Sequence, residues 1–407
     1  DAFASYGLNN VRLATFDFLA WSREEAALSV VGQRHQALPS AQALVYSPRT
    51  PSGGLRAPVV WLGTGTKGEF AAKEEVRGKF VAVSTDSPSG GRWIHRREKY
   101  GRAVTAGAVG FIFVNHLPGM LAPTGSLRPG RVADIPAVGL SHEDGFVIRR
   151  LLRSGEPVEL EMRLVNHTRP AHFSHIIGEV PGRERDQVVV VGAHYDGHDI
   201  SQGAVDDASG TAIVMELARI FVPLSGKLRR TLRFEAYAAE ELGVLGSTKY
   251  VGAMSPAEVA AVDFMLNLDG GALHGKRGLA LQNLNELIPL FARFSREMGY
   301  PLELDNQIGT ASDHFPYWLR GVPAASMFAR RPAGQGRGFG HTMADTLDKV
   351  SEVELRESLM VAARLALRLA DHPEPIGRKR TPEELKGLLL DQDLEEPLRA
   401  QDKWPFD

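Results

Sequence analysis

From residue 188 the chain reads Val188-Val189-Val190-Val191-Gly192-Ala193 and then turns polar at His194-Tyr195-Asp196. A short all-apolar run rich in β-branched residues is the pattern of a strand covered on both faces. It points to a layered α/β domain with helices on either side of a sheet. The polar triplet marks the carboxyl end of the strand, the edge at which such sheets carry their ligands.

The sequence on either side keeps the alternation going. Ile176 to Val180 ends in the turn Pro181-Gly182, and Ser209 can cap a helix with Ile213, Leu217 and Ile220 on one face. Leu232 to Tyr237, Phe264 to Leu268 and Ala324 to Phe328 read as further strands. Asn285 can cap a helix with Leu287, Leu290, Phe291, Phe294 and Met298 inward. Ser351 with Glu354 makes a capping box that opens a helix reaching about Ala370. The expected fold is a mainly parallel twisted sheet flanked by helices.

Earlier in the chain the texture is different. Val11 to Phe18 and Ala26 to Val31 read as two strands before the turn-rich stretch from Ser47 to Gly54. Val59 to Leu62, Lys79 to Ser84, Val109 to Val114 and Ile135 to Val138 follow, separated by glycine-rich turns and one or two helices. Residues 376–407 are charged and proline-punctuated, and read as a tail with one short helix near Pro382 to Leu390.

Composition narrows the chemistry. The 407 residues include no cysteine, which excludes thiolate metal sites, a cysteine nucleophile and disulfide staples. Any zinc must be held by histidine and carboxylates. A formal net charge of -2 argues against nucleic acid or an anionic membrane as the main partner. No apolar run approaches the ~18 residues of a membrane span. The chain enters extended-looking sequence directly after Asp1, so an upstream leader and an extracytoplasmic or secreted location are the expectation. Oligomeric state is left open.

Five polar clusters follow predicted strands or open helices: His194-Tyr195-Asp196, Asp206-Asp207, Glu240-Glu241, Asp269 and His341-Thr342. The carboxyl ends of parallel strands share one edge, so residues far apart in sequence can meet there. Two imidazoles and three carboxylates suit two zinc-class ions with one carboxylate bridging both. The extra carboxylate Glu240 is the natural general base, since an activated water needs a proton acceptor within reach. Asp196 can hold the other nitrogen of His194.

These motifs closely resemble those of the co-catalytic zinc aminopeptidases and glutamate carboxypeptidases. The order is His-x-Asp, Asp-Asp-x-Ser-Gly, Glu-Glu-x-Gly-x-x-Gly-Ser from Glu240 to Ser247, Asn-x-Asp from Asn267 to Asp269, and His-Thr. Val76 to Val83, Ala103 to Phe113 and Ile135 to Ser141 resemble a protease-associated (PA) domain, β-rich, which that family carries inserted in its catalytic domain. The resemblance implies that residues 1–45 and 167–375 form the catalytic domain, with the PA domain at 46–166 and the tail at 376–407. It implies two zinc ions, one held by His194 and Asp269 and the other by Glu241 and His341. Asp206 would bridge, Glu240 would act as base and Asp196 would orient His194. Asp313, in a Ser-Asp motif, joins the site as a neighbour.

The implied activity is that of a zinc exopeptidase on peptides, with an aminopeptidase favoured because clustered carboxylates accept a free α-ammonium. A carboxypeptidase or dipeptidase needs a cationic anchor, for which Arg330, Arg331 and Arg337 are placed. A glutaminyl-cyclase-like transferase and a non-catalytic receptor-like member are the remaining alternatives. His198, His274 and His314 have no counterpart among the family's ligands and read as structural.

Overall fold

The computed structural model describes residues 1–32, 35–71, 76–155, 157–330 and 339–406. Four parallel strands form the centre of the larger sheet, in the order Ala324–Arg330, Val262–Asn267, Glu184–His194 and Arg230–Tyr237. Lys276–Ala280 adds antiparallel at one side and Glu303–Asp305 extends that edge. The run Val188–Val191 is buried as its composition requires, with helices Ser209–Phe221 and Glu352–Asp371 packed beside it.

Local signals place most of these elements. The Ser351 side chain accepts from Glu354 N at the start of its helix, while the Glu354 carboxylate pairs with Arg277 and His274 instead of closing the box. Leu287, Phe291, Phe294 and Met298 are buried, as the helical spacing predicts. One detail differs in the helix after Asp207. Ser209 is its first residue rather than its cap, and its hydroxyl donates to Val205 O and accepts from Ala272 N. Phe221 rather than Ile220 completes the inner face.

A smaller sheet has four parallel strands, Leu55–Trp61, Phe80–Ser84, Gly110–Val114 and Ala137–Leu140, with the helices Arg96–Thr105 and His142–Arg153. The two sheets are joined by one long ribbon. Glu159–Val180 pairs with Leu55–Trp61 through its first residues, Glu159 to Met162, and with Arg230–Tyr237 through its last residues. Asn9–Val31 runs antiparallel to it from Asn9↔Glu179 to Val31↔Glu159. What reads as two short strands is therefore one, because the polar break at residues 22–25 stays paired across a register shift between Arg23 and Glu25.

The segment expected as a tail is a packed strap. Residues 376–407 form two helices, Pro382–Asp391 and Glu395–Ala400. Leu385, Leu389, Leu394 and Leu398 bury themselves in the core of the larger unit. Arg102 of the smaller unit forms an ion pair with Glu396 at 2.6 Å, and Arg128 donates to Ala400 O at 2.7 Å. Charged residues face outward and toward the neighbouring unit while the leucines at i, i+4 spacing face in, which a composition scan averages away. Among the described residues no helix is long and apolar enough to cross a membrane.

Candidate metal centre

His194 is the last residue of its strand, and Tyr237 of the neighbouring parallel strand pairs with it directly. Asn267 pairs with both Gly192 and Ser326, so three strand ends stand level. Glu240, Glu241 and Asp269 lie a few residues beyond these ends and Asp206 opens the next helix, which brings the separated clusters to one crevice.

The His194 Nδ1 lies 3.0 Å from the carbonyl oxygen of Asp196. A carbonyl can only accept, so Nδ1 carries the proton and Nε2 presents its lone pair inward. That Nε2 lies 3.4 Å from Asp206 Oδ1 and 3.9 Å from Asp269 Oδ1. On the other side, His341 Nε2 lies 3.0 Å from Asp206 Oδ2 and 3.5 Å from Glu241 Oε2. The two oxygens of one carboxylate thus face two different histidines. This is the arrangement of a carboxylate that bridges a pair of ions.

Supporting contacts aim these groups. The Asp196 carboxylate accepts from the backbone N–H of Glu240 at 3.1 Å and of Glu241 at 3.2 Å, so it fixes their turn as well as facing His194. Ser312 Oγ donates to Asp269 Oδ2 at 2.8 Å and accepts from Asn267 Nδ2, which leaves Asp269 Oδ1 turned to His194. Asp345 accepts from the N–H of Val205 and of Asp206, and Asp207 accepts from the N–H of Gly210 and of Gly270. Ser312 and Asp345 escape a sequence reading because each acts on groups far along the chain, and Asp207, though part of the Asp206-Asp207 cluster, shows its hold on Gly270 only in the fold.

Electrostatics mark the crevice as built for cations. Burial pushes the Glu240 carboxyl well above its ordinary range, and Glu241, Asp313 and Asp269 add to the effect. Burial likewise raises Glu241 to about 7 and Asp313 to about 7, and pushes Asp207 up. Glu241 Oε1 is buried without a hydrogen-bond partner among the described residues. So many buried carboxylates beside two imidazoles call for positive charge from a ligand.

Family comparison bears on this cluster directly. The description "Peptidase family M28" matches residues 175–366, the span that holds every one of these groups. That match takes in 192 of the 407 residues. Residues 43–148 match the PA domain. Leucine aminopeptidase 2 of Trichophyton equinum is 31% identical over 322 residues, covering 76% of this chain and 61% of that protein. The chain therefore spans about three fifths of the length of that curated relative. The solved aminopeptidase from Aneurinibacillus sp. strain AM-1 superposes with a TM-score of 0.68 at 26% identity, over 93% of this chain and 88% of that one. A solved peptidase M28 precursor from Shewanella amazonensis gives a TM-score of 0.74 at 26% identity, over 93% and 88% of the two chains.

The smaller unit forms the far wall of the crevice. A cavity of about 360 Å³ is lined by Asp206, Glu240, Glu241, Asp269 and His341 on one side and by Trp93, His95, Arg96, Arg97, His116 and Thr124 on the other. Arg96 reaches His341 because Gly125 leaves room: a Cβ there would lie 2.1 Å from Arg96 Cζ. Arg97 is buried, and its Nε and Nη1 find no hydrogen-bond partner among the described residues.

Of the other expected residues, Asp313 lies beside the crevice and Arg330 falls elsewhere. Asp313 is fully buried there and accepts from Ser247 Oγ at 2.5 Å. Arg330 is not an anchor at this cavity; it pairs with Glu303 and Asp305 at the outer sheet edge and covers the Phe328 ring. Its position at the end of the strand lets it reach across Lys276–Ala280 to the acidic residues of the strand beyond. Arg331 and Arg337 lie outside the described residues. His274 and His314 are structural as read, the first against Glu354 and the second against Gly309 O.

Proposed function

We propose that this protein is a zinc-dependent exopeptidase that removes residues from the amino terminus of peptides. The observation that carries the proposal is the Asp206 carboxylate placed between His194 and His341. Its donor set fits zinc, since imidazoles and carboxylates in a buried crevice without thiolates are a zinc-class combination. His194, Asp206 and Asp269 would hold one ion, and His341, Glu241 and Asp206 the other. The domain division read from the sequence, 1–45 and 167–375 around 46–166, belongs to the same proposal.

Two bound zinc ions supply Lewis-acid polarisation of the scissile carbonyl and lower the pKa of water toward neutrality. Glu240 lines the cavity with its carboxylate in a dry, acidic setting. It takes a proton from the attacking water as the water oxygen bonds to the carbonyl carbon. It then returns that proton to the amine nitrogen as the C–N bond breaks. Asp196 keeps Glu240 in place through the backbone of its turn. The acidic floor accepts a substrate α-ammonium, which selects the amino end. The PA wall limits the site to chain ends and short peptides.

One observation favours a second reading, a carboxypeptidase or dipeptidase. Arg97 stands on the cavity wall with Nε and Nη1 that meet no acceptor among the described residues. The terminal carboxylate of a short peptide would complete it. One tripeptide assayed free, amino-acetylated and carboxyl-amidated decides between the two. Cleavage of the amide but not of the acetylated form supports the aminopeptidase, and the reverse pattern replaces it with the carboxypeptidase.

A further inference from the structure

His198 lies outside the ligand set that the sequence motifs imply, yet it sits in the crevice. Its Nε2 is 2.8 Å from Glu241 Oε2, its side chain is 4% exposed, and its ring meets His341 edge-on with centroids 4.6 Å apart. Despite the close approach, this Nε2 makes no hydrogen bond of acceptable geometry among the described residues. The nitrogen and the oxygen are therefore not aimed at each other. His198, Glu241 and His341 each offer a ligand atom, and these three atoms all lie within 4.8 Å of one another, with His341 Nε2 3.5 Å from Glu241 Oε2 and 3.0 Å from Asp206 Oδ2. Ligands at 2.0–2.1 Å around a tetrahedral zinc stand about 3.3 Å apart, and these separations straddle that value. The backbone beside it is tied down, as Asp199 pairs with Arg23 at 3.1 Å and His198 O accepts from Ser201 N.

We propose that His198 is a ligand of the metal position shared by Glu241, His341 and Asp206. The proposal rests on the dizinc reading above and makes the two positions chemically unequal. The position at His198 gains a second imidazole beside Glu241 and the bridging Asp206 and holds zinc the more tightly. The position at His194, Asp206 and Asp269 has one imidazole and two carboxylates and keeps a place open toward the cavity. Imidazole-rich sites favour zinc, while carboxylate-rich ones admit manganese and exchange more readily. Water and substrate enter at the open position.

Zinc K-edge absorption on the wild-type protein loaded with two zinc ions reads the imidazole count directly. Three histidines over two ions give about 1.5 imidazoles per zinc, and the implied set without His198 gives about 1.0. Calorimetric titration of chelated protein with zinc should resolve a tight step and a weaker one. His198→Gln keeps an N–H donor for Glu241 but offers a poor ligand. It should weaken the tight step by more than about 100-fold, beyond the ~10–100-fold that losing an outer hydrogen-bond partner costs. His198→Asp, which restores an anionic ligand, should recover part of the loss. A count of one imidazole per zinc, or a tight step unchanged in His198→Gln, overturns the assignment of His198 while leaving the dizinc reading intact. Wild-type protein that fails to bind two zinc ions overturns both.

Discussion

Arg96 Nη1 lies 3.3 Å from His341 Nδ1, a contact between residues 245 positions apart and on different units of the fold. Thr124 N donates to the His341 carbonyl at 2.7 Å, so the PA unit holds this histidine at both its ring and its backbone. The smaller unit is thus part of the metal centre's support as well as its wall. Gly125→Ala tests that support. The new Cβ would collide with the Arg96 guanidinium at a φ of +128°, a backbone conformation that alanine resists. Expected are a loss of about 1–3 kcal/mol in stability and reduced zinc content, read by thermal denaturation and elemental analysis. Adding Arg96→Ala should restore part of the stability, because it removes the atoms struck, but not the zinc.

Removal of metal should abolish hydrolysis. Strong chelation is expected to inactivate the protein, with Zn²⁺, Co²⁺ or Mn²⁺ restoring activity to protein whose metal content has been measured. Full activity in metal-free protein would remove the basis of the proposed chemistry.

Base and ligand roles separate by substitution. Glu240→Gln should retain both zinc ions and lose at least ~10²-fold in kcat, the scale of general acid–base assistance. Asp206→Asn should lose metal instead, since one carboxylate serves both histidines' positions. Near-normal turnover by Glu240→Gln would move the base elsewhere.

The role of Arg97 is read from substrate pairs. If its guanidinium takes a substrate carboxylate, Arg97→Met raises KM at least ~10-fold for free dipeptides and leaves peptide amides unaffected. If the protein reads only the amino end, the free and amidated forms respond alike.

Packing of the carboxyl-terminal strap is measurable without any assay of activity. Leu398 is fully buried in the main core. Leu398→Ala should cost about 2–5 kcal/mol in denaturant unfolding. A change near zero would mean that the strap adds little to the fold despite its burial.

The sequence by itself determined the layered α/β unit and the meeting of His194, Asp206, Glu240, Glu241, Asp269 and His341. Buried strands declare themselves by apolar runs, and parallel strand ends share one edge, so polar residues just past those runs converge whatever lies between them. Asp196 was legible too, being two residues from the histidine it serves. Only the tertiary structure decided the rest. His198 looks like any polar loop residue, because the direction of its ring is set by what packs behind it. Arg96 and Arg97 look like a solvated helix start until the ribbon of Asn9–Val31 and Glu159–Val180 docks the two units face to face. The anchoring arginine expected at Arg330 is drawn off by Glu303 and Asp305, a pairing with a strand two places away in the sheet that no local pattern announces. Periodicity is a property of nearby residues, whereas side-chain partners across hundreds of positions depend on how whole units pack.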